Sequence, residues 1–161
     1  RRTLALSIAA QIGGPIVWIR LDGASEFIHA DATAEQINPG HILFVTPAKR
    51  DLLLWAMEEA LRDGRATVVI ADLASPPAMV PIRRLHLAAE AGSGAGACRP
   101  LALLLTPDQG GAPGIETRWS LEPAHHTGMD HWTLSRLRAR MAPPRDWVMT
   151  HTQTGLGPCS P

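Results

Sequence analysis

Residues 51–73 read DLLLWAMEEALRDGRATVVIADL, and this stretch contains the unit from which the fold is predicted. Leu53 and Leu61 recur on one face at helical spacing, so the first half predicts an amphipathic helix that ends at Gly64. The run ATVVIAD that follows is rich in β-branched residues, which is typical of a strand buried on both faces. Asp72 ends this strand. In nucleotide-hydrolysing proteins, a carboxylate at the end of such a strand binds the magnesium ion. The stretch therefore raises the question of a nucleotide-binding enzyme.

The alternation of helix and buried strand extends in both directions from this stretch. The helices are expected at residues 3–12, 23–37, 47–63 and 81–91. The buried strands are expected at residues 15–21, 41–47, 66–72 and 100–106, and antiparallel strands at 115–124, 131–140 and 146–152. These patterns predict an α/β fold: a mainly parallel sheet with helices on both faces and a C-terminal antiparallel extension at one edge.

Composition is that of an ordinary globular chain. The 161 residues are 45% hydrophobic and carry a formal net charge of +0, which argues against a surface devoted entirely to nucleic acid. No apolar run is long enough to cross a bilayer and no signal peptide is evident, so a cytoplasmic protein is expected. One domain is expected over residues 1–150, truncated at its N-terminus because the chain starts inside a helical pattern, with a disordered tail at 151–161.

The sequence motifs give little indication of nucleotide binding or hydrolysis. No GxxxxGK[ST] phosphate loop is present, and Lys49 is the one lysine among fifteen basic residues. Asp72 remains a weak magnesium candidate, with a cap on the following turn as the favoured interpretation. No cofactor is therefore expected.

Other enzymatic sites are also weakly supported. His125, His126 and His131, with Asp130 between them, offer zinc ligands in one loop, but adjacent histidines usually point in different directions and no HExxH pattern completes the set. Cys98 has no evident base, and no serine lies in a GxSxG elbow. A solvated loop is therefore favoured over a metal site.

Arginine and tryptophan residues interleave in the predicted antiparallel region, and alternation in SRLRAR predicts that its three arginines share one strand face. Such a face suits phosphates or an acidic partner protein, while a charged strand that keeps the sheet edge from aggregating is the alternative interpretation. The candidate partner- or DNA-binding residues are Arg118, Trp119, Arg136, Arg138, Arg140 and Arg145.

The order of several segments resembles the ImuA family. These segments are LLWAMEEALRDGRATVVIADL, IRRLHLAAEAG, LALLL, ETRWSLEPA and WTLSRLRARMAPPRDWVM, within residues 14–149. Members of that family are bacterial RecA-like proteins encoded beside an inactive Y-family polymerase homologue (ImuB) and an error-prone C-family polymerase. The resemblance implies a RecA-like fold and an accessory role in SOS-induced translesion DNA synthesis. It also implies an ImuB-like protein as partner, with RecA and DNA as further candidates and no membrane association.

RecA itself provides a more distant comparison. The segment RRTLALSIAAQI is similar to the helix after RecA's phosphate loop, with Arg1 and Arg2 near the positions of its Lys and Thr. Ala71 stands where RecA has the Asp of its Walker B strand, and Asp72 lies one place later, which turns its carboxylate to the other face of the sheet. Thr106 follows the strand where RecA carries a Gln that senses the γ-phosphate. These departures imply a chain that does not hydrolyse ATP.

Three alternatives remain at this point. The first is a RecA-like ATPase whose phosphate loop lies upstream of Arg1, and the second is a SulA-like inhibitor of cell division. The third is a small α/β enzyme that uses the histidine loop with zinc.

Overall fold

The computed structural model describes residues 1–24, 28, 33–34, 36–96, 98–107, 110–125, 130–152 and 155–159. Its first elements are α1 (Arg2–Ile12), β1 (Ile16–Arg20), β2 (Ile42–Val45), α2 (Asp51–Asp63), β3 (Val68–Asp72), α3 (Met79–Ala95) and β4 (Leu101–Leu105). Four further strands are β5 (Thr117–Pro123), β6 (His131–Ala139), β7 (Arg145–Thr152) and β8 (Gly155–Pro158). Most of the helix expected at 23–37 lies outside the described residues.

The strands form two separate sheets. Parallel strands pair in the order β2-β1-β3-β4, and antiparallel strands pair in the order β5-β6-β7-β8. The predicted α/β class is confirmed, and so are its parallel sheet and C-terminal antiparallel strands. The antiparallel strands do not extend an edge of the parallel sheet, however, because they satisfy their backbone hydrogen bonds with one another.

Strand β3 is the centre of the hydrophobic core. Its residues 68–71 are fully buried, as expected for a strand with neighbours on both sides and helices on both faces. Val68 and Ile70 pack in one cluster with α1, while Val69 and Ala71 pack in a second cluster with α2 and α3. Pleat alternation therefore divides this strand between two layers of helix.

Two of the four strands predicted to be buried are in fact edge strands. Leu43 of β2 is 62% exposed and Leu101 of β4 is 38% exposed. A continuous apolar run predicts a strand with both faces covered, but it does not show whether a neighbouring strand lies on each side. The order of pairing leaves β2 and β4 with one neighbour each.

Two helix boundaries differ from those expected. Helix α2 begins at Asp51 instead of Pro47, because the Pro47 carbonyl accepts the Asp22 amide at 3.0 Å and so helps hold that segment outside the helix. Helix α3 begins at Met79, with Pro81 in its first turn where the missing amide costs no hydrogen bond, and runs past Gly92. Within the described residues, no helix is long and apolar enough to cross a membrane.

The C-terminal segment also differs from expectation. Residues 151–161 were expected to be disordered, but they include the end of β7 and all of β8. Leu156 is 4% exposed, and its amide donates to the hydroxyl of buried Ser7 on α1 at 3.0 Å. Burial of Leu156 and pairing with β7 offset the cost of ordering the glycines of this segment.

Helices α2 and α3 approach closely at a glycine contact. Gly64 ends α2 in the left-handed conformation, with φ of 67°. A Cβ atom at Gly92 on α3 would lie 2.0 Å from the Leu61 carbonyl oxygen, a distance that a side chain never tolerates. Gly92 therefore allows the two helix backbones to touch.

Gly92→Ala should destabilise the protein by about 1–3 kcal/mol, because the added methyl group forces the helices apart. Gly94→Ala is the matched control: it lies two residues along the same helix, where an added Cβ meets no atom within 4 Å. It should stabilise the helix by up to about 1 kcal/mol. Urea unfolding followed by circular dichroism measures both, and equal effects would contradict the glycine contact.

Candidate functional site

The carboxyl-terminal edge of the parallel sheet brings Asp72 together with arginines. Arg20 and Asp72 are paired in register at the ends of β1 and β3, and both lie on the face that packs against α1. The Asp72 Oδ2 atom accepts from Arg2 Nε at 2.5 Å, and Arg1 Nη2 lies 3.4 Å from Oδ1. The Asp72 side chain is 9% exposed. Its carboxylate is therefore a buried ion-pair partner of the start of α1.

Ala71 lies on the opposite face from Asp72. It is fully buried in the cluster formed with α2 and α3. Because successive residues of a strand alternate between its faces, the carboxylate of Asp72 lies on the α1 side of the sheet. On the face of the sheet that α2 and α3 cover, the strand carries the methyl group of Ala71 instead of a carboxylate.

A cavity of about 340 Å³ opens beside Asp72. Among the residues that the structure describes, its lining includes Arg1, Arg2, Arg20 and Arg50, with Asp72 as the one carboxylate. Four guanidinium groups around one carboxylate create a positive potential that opposes a divalent cation and favours an anion. The pairing and the potential together make this edge a poor magnesium site.

The antiparallel sheet brings together a different group of side chains, made of arginine and tryptophan residues. Trp119 of β5 is paired with Arg136 of β6, which is in turn paired with Arg145 of β7. Directly paired residues lie on the same face of a sheet, and Trp147 joins them because it is two residues from Arg145. We call Trp119, Arg136, Arg145 and Trp147 the Arg–Trp face.

Rings and guanidinium groups are in contact across the Arg–Trp face. The Trp119 and Trp147 ring centroids are 5.6 Å apart. Arg136 Cζ lies 5.8 Å from the Trp119 centroid and 5.3 Å from the Trp147 centroid, while Arg145 Cζ lies 5.2 Å from the latter. These distances are in the range of cation–π attraction. The Arg136 Nε atom also donates to the Pro143 carbonyl at 3.1 Å, which fixes the side chain in place.

The prediction that Arg136, Arg138 and Arg140 share one face is wrong. Trp119 is paired with Arg136 and its neighbour Arg118 with Arg138, so a bulge at that point places Arg136 and Arg138 on opposite faces. Arg140 lies beyond the end of β6 and forms an ion pair of 3.5 Å with Glu116. A one-residue bulge inverts every later side chain, and alternation in the sequence cannot reveal it.

Arg118 is likewise separated from the Arg–Trp face. A Cβ atom on Gly111 would lie 2.1 Å from Arg118 Cζ, so the guanidinium packs directly on the Gly111 backbone. Its Nε atom is buried and has no hydrogen-bond partner in the part of the chain that the structure describes. Of the six candidates, Trp119, Arg136 and Arg145 are brought together, and Arg118, Arg138 and Arg140 are not.

The histidine loop is only partly described. His126 lies outside the described residues. His125 Nδ1 lies 3.6 Å from Asp130 Oδ1, and the His125 ring packs edge-on against Trp132 at 4.9 Å. His131 Nε2 lies 3.7 Å from Cys159 Sγ. Across the described residues, no three His, Cys, Asp or Glu side chains are grouped to hold a metal ion.

Several residues of these two sites were not expected from the sequence. Trp147 is one of the tryptophans that interleave with the arginines, but it is not among the six candidate residues. Arg20 and Arg50 were missed, although one signal was present: Arg20 ends its strand as Asp72 does, and the ends of adjacent parallel strands meet at one edge.

Comparisons with known proteins find similarity among solved structures. No protein-family model matches the chain, and no curated protein sequence matches it. Among solved structures, the crystal structure of SulA from Pseudomonas aeruginosa is similar to the chain, with 20% sequence identity and a TM-score of 0.49. That alignment covers 65% of this chain and 86% of the SulA chain.

Asp72→Asn should lower the free energy of unfolding by about 2 kcal/mol, because it removes a charged acceptor from two arginines in a poorly solvated setting. Asp63→Asn is the control: Asp63 is half-exposed and lies 3.7 Å from Arg65, so its ion pair contributes less than about 0.5 kcal/mol. Chemical denaturation of both variants is the measurement. A loss no larger for Asp72→Asn than for the control would contradict the buried pairing.

Proposed function

We propose that this chain is a non-catalytic accessory protein of an SOS-induced, error-prone translesion DNA synthesis complex, built on a RecA-like frame. The observation that carries the non-catalytic part is the contact of the Asp72 carboxylate with Arg1 and Arg2. A magnesium ion bound there would have to displace both guanidinium groups and enter a cavity lined by four arginines. No Mg²⁺-dependent hydrolysis is therefore proposed for this edge.

The translesion assignment rests on the resemblance of the ordered segments to the ImuA family. Proteins of that kind work by binding other proteins, and the proposed first partner is an ImuB-like protein, with RecA as a second. The RecA-like frame is proposed to hold binding surfaces in a fixed arrangement, because its parallel sheet is covered by helices on both faces and is buried at β3.

Hydrolysis of ATP by the complete protein as encoded is the test of the non-catalytic part. With Mg²⁺ and ATP, phosphate release should not exceed that of a buffer blank, and Asp72→Asn should leave it unchanged. Phosphate release above the blank would contradict the proposal, and its loss in Asp72→Asn would favour the ATPase alternative.

Partner binding tests the translesion part. Isothermal titration with a purified ImuB-like protein from the same organism should give saturable binding. A tubulin-like division GTPase should give none under the same conditions. The reverse result would overturn the translesion assignment in favour of a SulA-like inhibitor of cell division.

A further inference from the structure

The acidic residues of the antiparallel strands are confined to one of the two faces of that sheet. Strands β5 to β8 contain two acidic residues, Glu122 and Asp146, which are paired with Thr133 and Ser135. Both pairs lie on the face opposite Trp119, because side chains alternate between the faces of a strand. Glu122 is an odd number of residues from Trp119 on β5, and Asp146 is directly next to Arg145 on β7. The charged strand residues that accompany Trp119 on its own face are the arginines Arg136 and Arg145.

An exposed aromatic surface accompanies this positive charge. Trp119 is 42% exposed, so part of its indole ring is open to solvent. Trp147 is partly buried beside it, and Arg145 is exposed. Because Arg136 is stacked on both rings and held by Pro143, the surface is organised in advance of binding.

We propose that the Arg–Trp face binds single-stranded nucleic acid, with a base stacked on Trp119 and phosphates held by Arg136 and Arg145. Base stacking on exposed indole rings, combined with guanidinium groups for the backbone, is how sequence-tolerant single-strand binding works. This proposal goes beyond the accessory role, since it requires no protein partner and no nucleotide hydrolysis.

The geometry favours a nucleic acid over an acidic peptide. Peptides that bind sheets usually add a strand at an edge or enter a groove. Arg136 and Trp147 lie instead on β6 and β7, the two inner strands of the sheet. A flat base uses the ring surface offered there, whereas a carboxylate side chain uses the arginines alone.

Fluorescence anisotropy with a labelled oligothymidine of about 20 nucleotides tests the proposal on the whole chain; that length exceeds the roughly 4–16 nucleotides that a comparable single-strand-binding domain covers. The wild-type chain should bind at low salt. Trp119→Ala should weaken binding by about 5- to 150-fold, the range for loss of one stacked base. Arg145→Gln should weaken binding and reduce the slope of log K against log salt by about 0.7.

Arg138→Gln is the matched control, because it removes the same charge from the opposite face of the same sheet. It should bind like the wild type, and thermal unfolding should show that Arg145→Gln and Arg138→Gln are equally folded. Because Arg145 is exposed, its variant keeps the test valid even if Trp119→Ala fails to fold.

Three results would overturn the proposal. They are no binding of oligothymidine by the wild type, equal losses in Arg145→Gln and Arg138→Gln, and tighter binding of labelled polyglutamate with the same dependence on Trp119. The last result would assign the face to an acidic protein segment. None of them bears on capture of an ImuB-like protein, so this proposal and the accessory role fail separately.

Discussion

Burial of β3 on both faces is the constraint on which the rest of the structure depends. Val68 to Ala71 are fully buried, and the side chains of Val68, Val69 and Ile70 each contribute about 1.5–3 kcal/mol when removed from water. The strand cannot shift by one residue without moving these side chains between the α1 layer and the α2–α3 layer. The register of β3 therefore also fixes the face on which Asp72 lies.

That fixed register determines the chemistry of the sheet edge. Asp72 lies on the α1 side, where Arg1 and Arg2 contact its carboxylate. A buried carboxylate needs such partners, because an unpaired one loses its hydration without compensation. The ion pairs thus give Asp72 a structural explanation that needs no metal. The antiparallel sheet is the other place with distinctive chemistry, since pairing there separates acidic residues from the Arg–Trp face.

The sequence was informative where a pattern depends on neighbours along the chain. Helical spacing around Leu61 and the stop at Gly64 predicted α2 correctly at its C-terminal end, and β-branched runs located the parallel strands. It was uninformative where a long-range contact decides the outcome. The Pro47 carbonyl is taken by Asp22, β8 is held by Ser7, and a bulge in β6 follows from its pairing with β5. The same limit applied to the candidate site. The sequence identified the arginine and tryptophan residues, but it did not predict which of them lie on the same face of the sheet.

The contacts of Asp72 with Arg1 and Arg2 predict that its carboxylate does not bind a metal ion. Paramagnetic broadening by Mn²⁺, used in place of Mg²⁺ and recorded by NMR on the isotope-labelled chain with ATP present, tests it most directly. The account predicts that the signals of Asp72 and Leu73 broaden no more than those of exposed Asp63. Selective broadening at Asp72 at low Mn²⁺ concentration would show that the carboxylate binds the metal, and it would contradict the prediction.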